Sequence, residues 1–82
     1  MNRQILRSYM VKYGDTGESL AAALGIQRNT LSSKMNEYRG AEFTQGEIKT
    51  IKDRYHLTAD DIDLIFFDID VSKKDTYVEA ES

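Results

Sequence analysis

Gly25 separates two short apolar-periodic segments, LAAAL before it and IQRNTLSSKM after it, and no other feature constrains the fold of this chain as tightly. The first segment is built from strong helix formers, and the second repeats apolar residues four apart at Leu31 and Met35. A glycine between them supplies the left-handed backbone that ends a helix, a conformation other residues adopt only at a cost. The chain is therefore expected to make two short helices that meet at a close corner. Such a corner needs a small residue on the first helix, a glycine in the turn and apolar side chains sealing it. Ala21, Gly25 and Leu31 meet these needs, with Leu20, Leu24 and Ile26 completing the corner.

Similar periodicity recurs along most of the sequence, which contains no proline, and an all-α domain is expected. Ile5, Leu6, Tyr9, Met10 and Tyr13 form one stripe, predicting a helix over about residues 2 to 13 that ends at Gly14. Asp15 and Glu18 stand at a capping-box spacing before a helix over about 16 to 24. A third helix is expected over about 28 to 38, burying Leu31, Met35 and Tyr38. Thr44 and Glu47 form a second capping box before a fourth helix with Ile48, Ile51 and Tyr55 inward. Thr58, followed by Asp60 and Asp61, suits the positive end of a fifth helix with Ile62, Ile65 and Phe66 in the core. Leu64 or Phe67 is a candidate exposed apolar contact. Beyond Phe67 the pattern DIDVSKKDTYVEAES reads as a short acidic tail, or else a short strand pair able to mediate dimerisation. The expected organisation is one helical domain over residues 1–67 and this segment over 68–82.

With 82 residues there is room for one small core. The absence of cysteine excludes disulfides, thiolate metal sites and a cysteine nucleophile. The longest apolar run, Leu20 to Leu24, is too short for a signal peptide or a membrane span, so a cytoplasmic location without membrane association is expected. Net charge is −3, but its distribution is uneven. Residues 1 to 58 carry nine basic against six acidic residues, whereas residues 59 to 82 carry two against eight. A polyanionic partner senses the local charge of one face, so the total does not decide against one.

Two short helices joined through a glycine turn read as a helix-turn-helix unit, the simpler alternative being an αα-turn in a small bundle. On the second helix Arg28, Asn29, Ser32 and Ser33 are left for solvent or a partner. Arginine suits guanine, asparagine suits adenine and serine suits either, so these four can read a major groove. The stretch SLAAALGIQRNTLSSKMN resembles the Cro/repressor group of phage-type helix-turn-helix regulators, often called the XRE family. EFTQGEIKTIKDRYHLTADDIDLIFF continues the likeness more loosely and is similar to small phage-encoded regulators of Gram-positive bacteria. The resemblance covers about residues 3 to 67. It implies a five-helix, lambda-repressor-like DNA-binding domain acting in repression or switching at double-stranded operators.

Carried over by position, the resemblance places Gln27, Arg28, Asn29, Ser32 and Ser33 against bases, on a recognition helix of about residues 28–38. It places Thr16, Gly17, Lys34, Asn36 and Arg39 against phosphates. Relatives present a glutamine where this chain has Gly17, so only backbone amides remain for that phosphate. Met10 and Met35 stand where relatives often pair an arginine with an acid. Lys34 stands where they bury an aliphatic residue, and is expected to snorkel toward a phosphate. A homodimer on half-sites roughly 34 Å apart is the expected assembly.

Other signals are weaker. Asp68, Asp70, Ser72 and Glu79 match some calcium-loop positions, but Lys73 replaces the required glycine and Asp75 the apolar residue. Gly40 and Gly46 have the spacing of a phosphate loop, yet Glu47 and Ile48 follow where Lys and Ser/Thr are needed. His56 has no companion ligand or nucleophile, and no serine has an evident base. No metal, cofactor or catalytic activity is expected. The alternative function, motivated by the low positive charge, the acidic C-terminal third and the bare Gly17, is an anti-repressor or modulator that binds another transcription regulator.

Overall fold

Three of the helices start with the same chemistry. Thr16, Thr44 and Thr58 each accept a hydrogen bond from the backbone N–H three residues on, and the side chains of Ser19, Glu47 and Asp61 each accept one from the cap residue's own N–H. Each box satisfies two amides that a helix start otherwise leaves without partners. The box at Thr44 matches expectation, and at Thr58, expected as the start of the fifth helix, Asp61 completes a box. The one before the second helix pairs Thr16 with Ser19 rather than Asp15 with Glu18, because the Asp15 carboxylate is drawn away to Arg54, Tyr55 and the Ser19 hydroxyl.

The computed structural model describes residues 1–67, which fold as five α-helices. These are α1 Arg3–Lys12, α2 Gly17–Leu24, α3 Arg28–Met35, α4 Gln45–Tyr55 and α5 Ala59–Phe66, with a single 3-10 turn at Tyr38–Gly40. The tail or strand pair read from the sequence after Phe67 lies outside the described residues. No described helix is long and apolar enough to cross a membrane.

The corner at Gly25 forms with glycine in the left-handed region at φ 71°. Ile26 N–H donates to Ala21 C=O at 3.0 Å and Gly25 N–H to Ala22 C=O at 3.1 Å, closing α2 in a Schellman pattern. α2 packs against α3 and α4, while α1 packs against α5. Ala21 and Leu31 are each 2% exposed. They join Leu6, Met10, Leu20, Met35, Ile51, Tyr55, Leu57 and Ile65 in one core, with no buried polar residue in it. Each fully buried aliphatic contributes roughly 1.5–3 kcal/mol. The corner is thus fixed by packing on both helices.

α3 is shorter than the sequence reading predicts. It ends at Met35; Asn36 turns its amide onto Ser32, and Glu37 enters the left-handed region at φ 53°. That reversal breaks the four-residue spacing before its third member. Tyr38, expected in the core, is consequently 59% exposed. Phe67 is exposed at the end of α5, and Leu64 is half-buried.

Candidate functional site

α3 has eight residues, and its packing divides them by face. Leu31 and Met35 point into the core. Lys34 faces α4, where its Nζ lies 2.6 Å from Glu47 Oε1 with both side chains at least 85% covered. Arg28 and Ser32, four apart on another line, face α1, and Asn36 just past the helix joins them. Asn29 and Ser33 form a further line, Asn29 exposed and Ser33 half-buried, and Thr30, one turn before Lys34, is exposed. Gln27 caps α3 through its backbone alone, leaving its exposed side-chain amide without a capping bond.

Arg28 does not simply project outward. A Cβ built on Gly17 would lie 3.7 Å from Arg28 Nε and 3.9 Å from its Cγ, so the arginine stem runs across the start of α2. Even a Cβ at 17 would meet Arg28 only at ordinary van der Waals distance, so the arginine lies close along the bare backbone there. Arg28, Ser32 and Asn36 then line a cleft of about 210 Å³ with Arg7, Met10, Gly17, Leu31 and Met35. Arg3 donates to Asn36 Oδ1, and Asn36 Nδ2 donates to Ser32 Oγ at 3.4 Å. Neither Arg7 nor Arg28 takes an ion pair or hydrogen bond among the described residues.

The residues assigned to phosphates separate into different environments. Thr16 spends its hydroxyl and amide on Ser19, which leaves the Gly17 and Glu18 amides as the unpaired donors of that turn. Lys34 is held by Glu47 instead of reaching outward to a phosphate, because a largely covered ammonium is better satisfied by a fixed carboxylate than by a long excursion to solvent. Asn36 is engaged by Arg3 and Ser32. Arg39 is exposed on the loop after α3, its guanidinium 5.2 Å from the Tyr38 ring centre.

The scaffold behind this face is fastened by Asp15. Its carboxylate takes Arg54 Nε at 2.7 Å, Arg54 Nη2 at 2.6 Å, Tyr55 Oη at 2.6 Å and Ser19 Oγ at 2.8 Å. The Arg54 hydrogen bonds hold the carboxyl well below its usual range against the opposing effect of burial, and Tyr55 and Ser19 add to them. Burial pushes the Glu47 carboxyl up, but the hydrogen bonds from Lys34 and Thr44 outweigh it and leave it lowered. Two cations, Arg54 and Lys34, are thereby spent on internal pairs. Un-neutralised positive charge near α3 remains on Arg7 and Arg28 in the cleft, on Arg3, whose hydrogen-bond partner is the neutral Asn36, and on Arg39 in the loop that follows.

Arg3 and Arg7 are absent from the site residues read from the sequence. Their four-residue spacing off the apolar stripe of α1 was the available signal, but only packing reveals that this line borders α3. Among the described residues no cluster of His, Asp and Glu is arranged to hold a metal ion. The chain matches no protein-family model, no curated protein and no solved structure.

Proposed function

We propose that this chain is a sequence-specific double-stranded-DNA-binding transcriptional regulator of the Cro/repressor type, with α2 and α3 as its helix-turn-helix and α3 entering the major groove. The observation carrying this reading is the division of α3. Leu31 and Met35 anchor it in the core, while Gln27, Arg28, Asn29 and Ser32 remain exposed at and beyond its N-terminal end. That end of a recognition helix approaches base edges and the phosphates flanking them, and these side chains carry donors and acceptors suited to both. A two-fold dimer would present two such helices to half-sites roughly 34 Å apart. Phe67, 56% exposed where α5 ends, is an apolar residue available to that assembly.

Selection from a random duplex pool tests the proposal. An enriched motif at moderate salt is expected, and Asn29→Ala should relax one position of it at a cost of about 1–3 kcal/mol. Failure to enrich any sequence removes the reading. A second reading, a modulator that binds another transcription regulator, draws on the internal pairing of Lys34 with Glu47 and the bare Gly17, which lower the phosphate-binding capacity of the face. Capture of a regulator without any enriched duplex would favour it.

A further inference from the structure

We propose that Arg7 of α1 and Arg28 of α3 jointly clasp one backbone phosphate in the cleft between these helices, so that Arg28 positions the duplex and base reading passes to Gln27, Asn29 and Ser33. This rests on the DNA-binding reading and assigns its chemistry more narrowly. Both arginines line the same cleft of about 210 Å³, and none of its lining residues is acidic. Neither has a protein partner for its guanidinium among the described residues, whereas Arg54 and Lys34 are both neutralised. Guanidinium groups present paired N–H donors that match phosphate oxygens.

Arg28 lies over Gly17, its Nε 3.7 Å from where a Cβ would be, which directs its stem along α2 toward α1. A base reader would instead extend from α3 along the line of Asn29. Ser32, on the same side of the cleft, accepts from Asn36 at 3.4 Å and so keeps its own hydroxyl proton for an anion. Arg3 holds Asn36 in place for this arrangement. The cleft thus combines two unneutralised guanidinium groups with a hydroxyl donor, the set that a phosphodiester needs.

The test uses the full chain and a duplex taken from the random-pool selection, with affinity followed over about 50 to 200 mM salt. Arg7→Ala and Arg28→Ala should each reduce the slope of log affinity against log salt by about 1 and leave the selected motif unchanged. Asn29→Ala should keep the slope and alter the motif. Both arginines are solvent-exposed, and helical circular dichroism checks that the variants remain folded. A changed motif for Arg28→Ala, or an unchanged slope for Arg7→Ala, overturns the clasp while the regulator reading stands. If the wild-type chain enriches no duplex, both fall together.

Discussion

Replacing Asp15 with asparagine should loosen the scaffold that holds α2 against α4. All four groups around the carboxylate are donors: two Arg54 nitrogens, the Tyr55 hydroxyl and the Ser19 hydroxyl. Asparagine offers one accepting oxygen and one NH₂. The hydroxyls of Tyr55 and Ser19 can rotate and accept from that NH₂, but an arginine nitrogen cannot. Whichever way the amide is turned, one Arg54 nitrogen faces another donor. A hydrogen bond to a charged group contributes about 1.5–3 kcal/mol, and the remaining bond to Arg54 loses its ionic character. Arg54 is 36% exposed and water can recover part of the loss, so Asp15→Asn should cost about 2–3 kcal/mol at pH 7. In a domain of this size that corresponds to a fall in Tm of about 10–20 °C.

The pH dependence supplies an independent check. The carboxyl is lowered in the folded state, so its contribution is fully present above the unfolded value of 3.8 and is lost as pH falls toward the folded value. The gap between wild type and Asp15→Asn should therefore shrink below about pH 4, by up to about 1.4 kcal/mol per pH unit. Urea denaturation followed by circular dichroism at pH 7, 4 and 3 measures it. A loss below about 0.5 kcal/mol at pH 7, or a gap that stays constant with pH, would refute the reasoning.

Other expectations follow from the same geometry. Ala21→Leu inserts bulk at a site 2% exposed and should cost about 1–3 kcal/mol, whereas Ala22→Leu on the exposed side of α2 should be nearly neutral. Equal losses in chemical denaturation would show that the corner is not tightly packed. Glu47→Gln leaves the Lys34 ammonium half-buried without its counter-charge and should destabilise by about 1–2 kcal/mol at pH 7, with the difference narrowing in acid because the Glu47 carboxyl is lowered. Lys34→Met should leave the salt slope of DNA binding unchanged, since this lysine is committed to Glu47; a drop of about 1 would return it to the phosphate surface. At Gly17 a Cβ would make only ordinary contacts with Arg28, so Gly17→Ala should raise stability by about 0.5–1 kcal/mol, and a lowered Tm would contradict that.

The sequence alone determined the helical class, the approximate position of every helix, the threonine caps at 44 and 58, and the glycine corner at 25. These depend on neighbours within a turn or two of chain, and local spacing records such interactions directly. It also identified Leu31 and Met35 as the buried line of α3. What it left undecided involves residues distant along the chain. Asp15 looked like a cap until α4 brought Arg54 and Tyr55 to it, and Lys34 looked free until Glu47 met it across the α3–α4 boundary. The same holds for α3 itself, whose early end at Met35 accompanies contacts of Asn36 with Arg3 and Ser32. Whether an exposed-looking polar residue is available to a partner is a question of which charge lies opposite it. Only the packing of one helix on another can supply that charge.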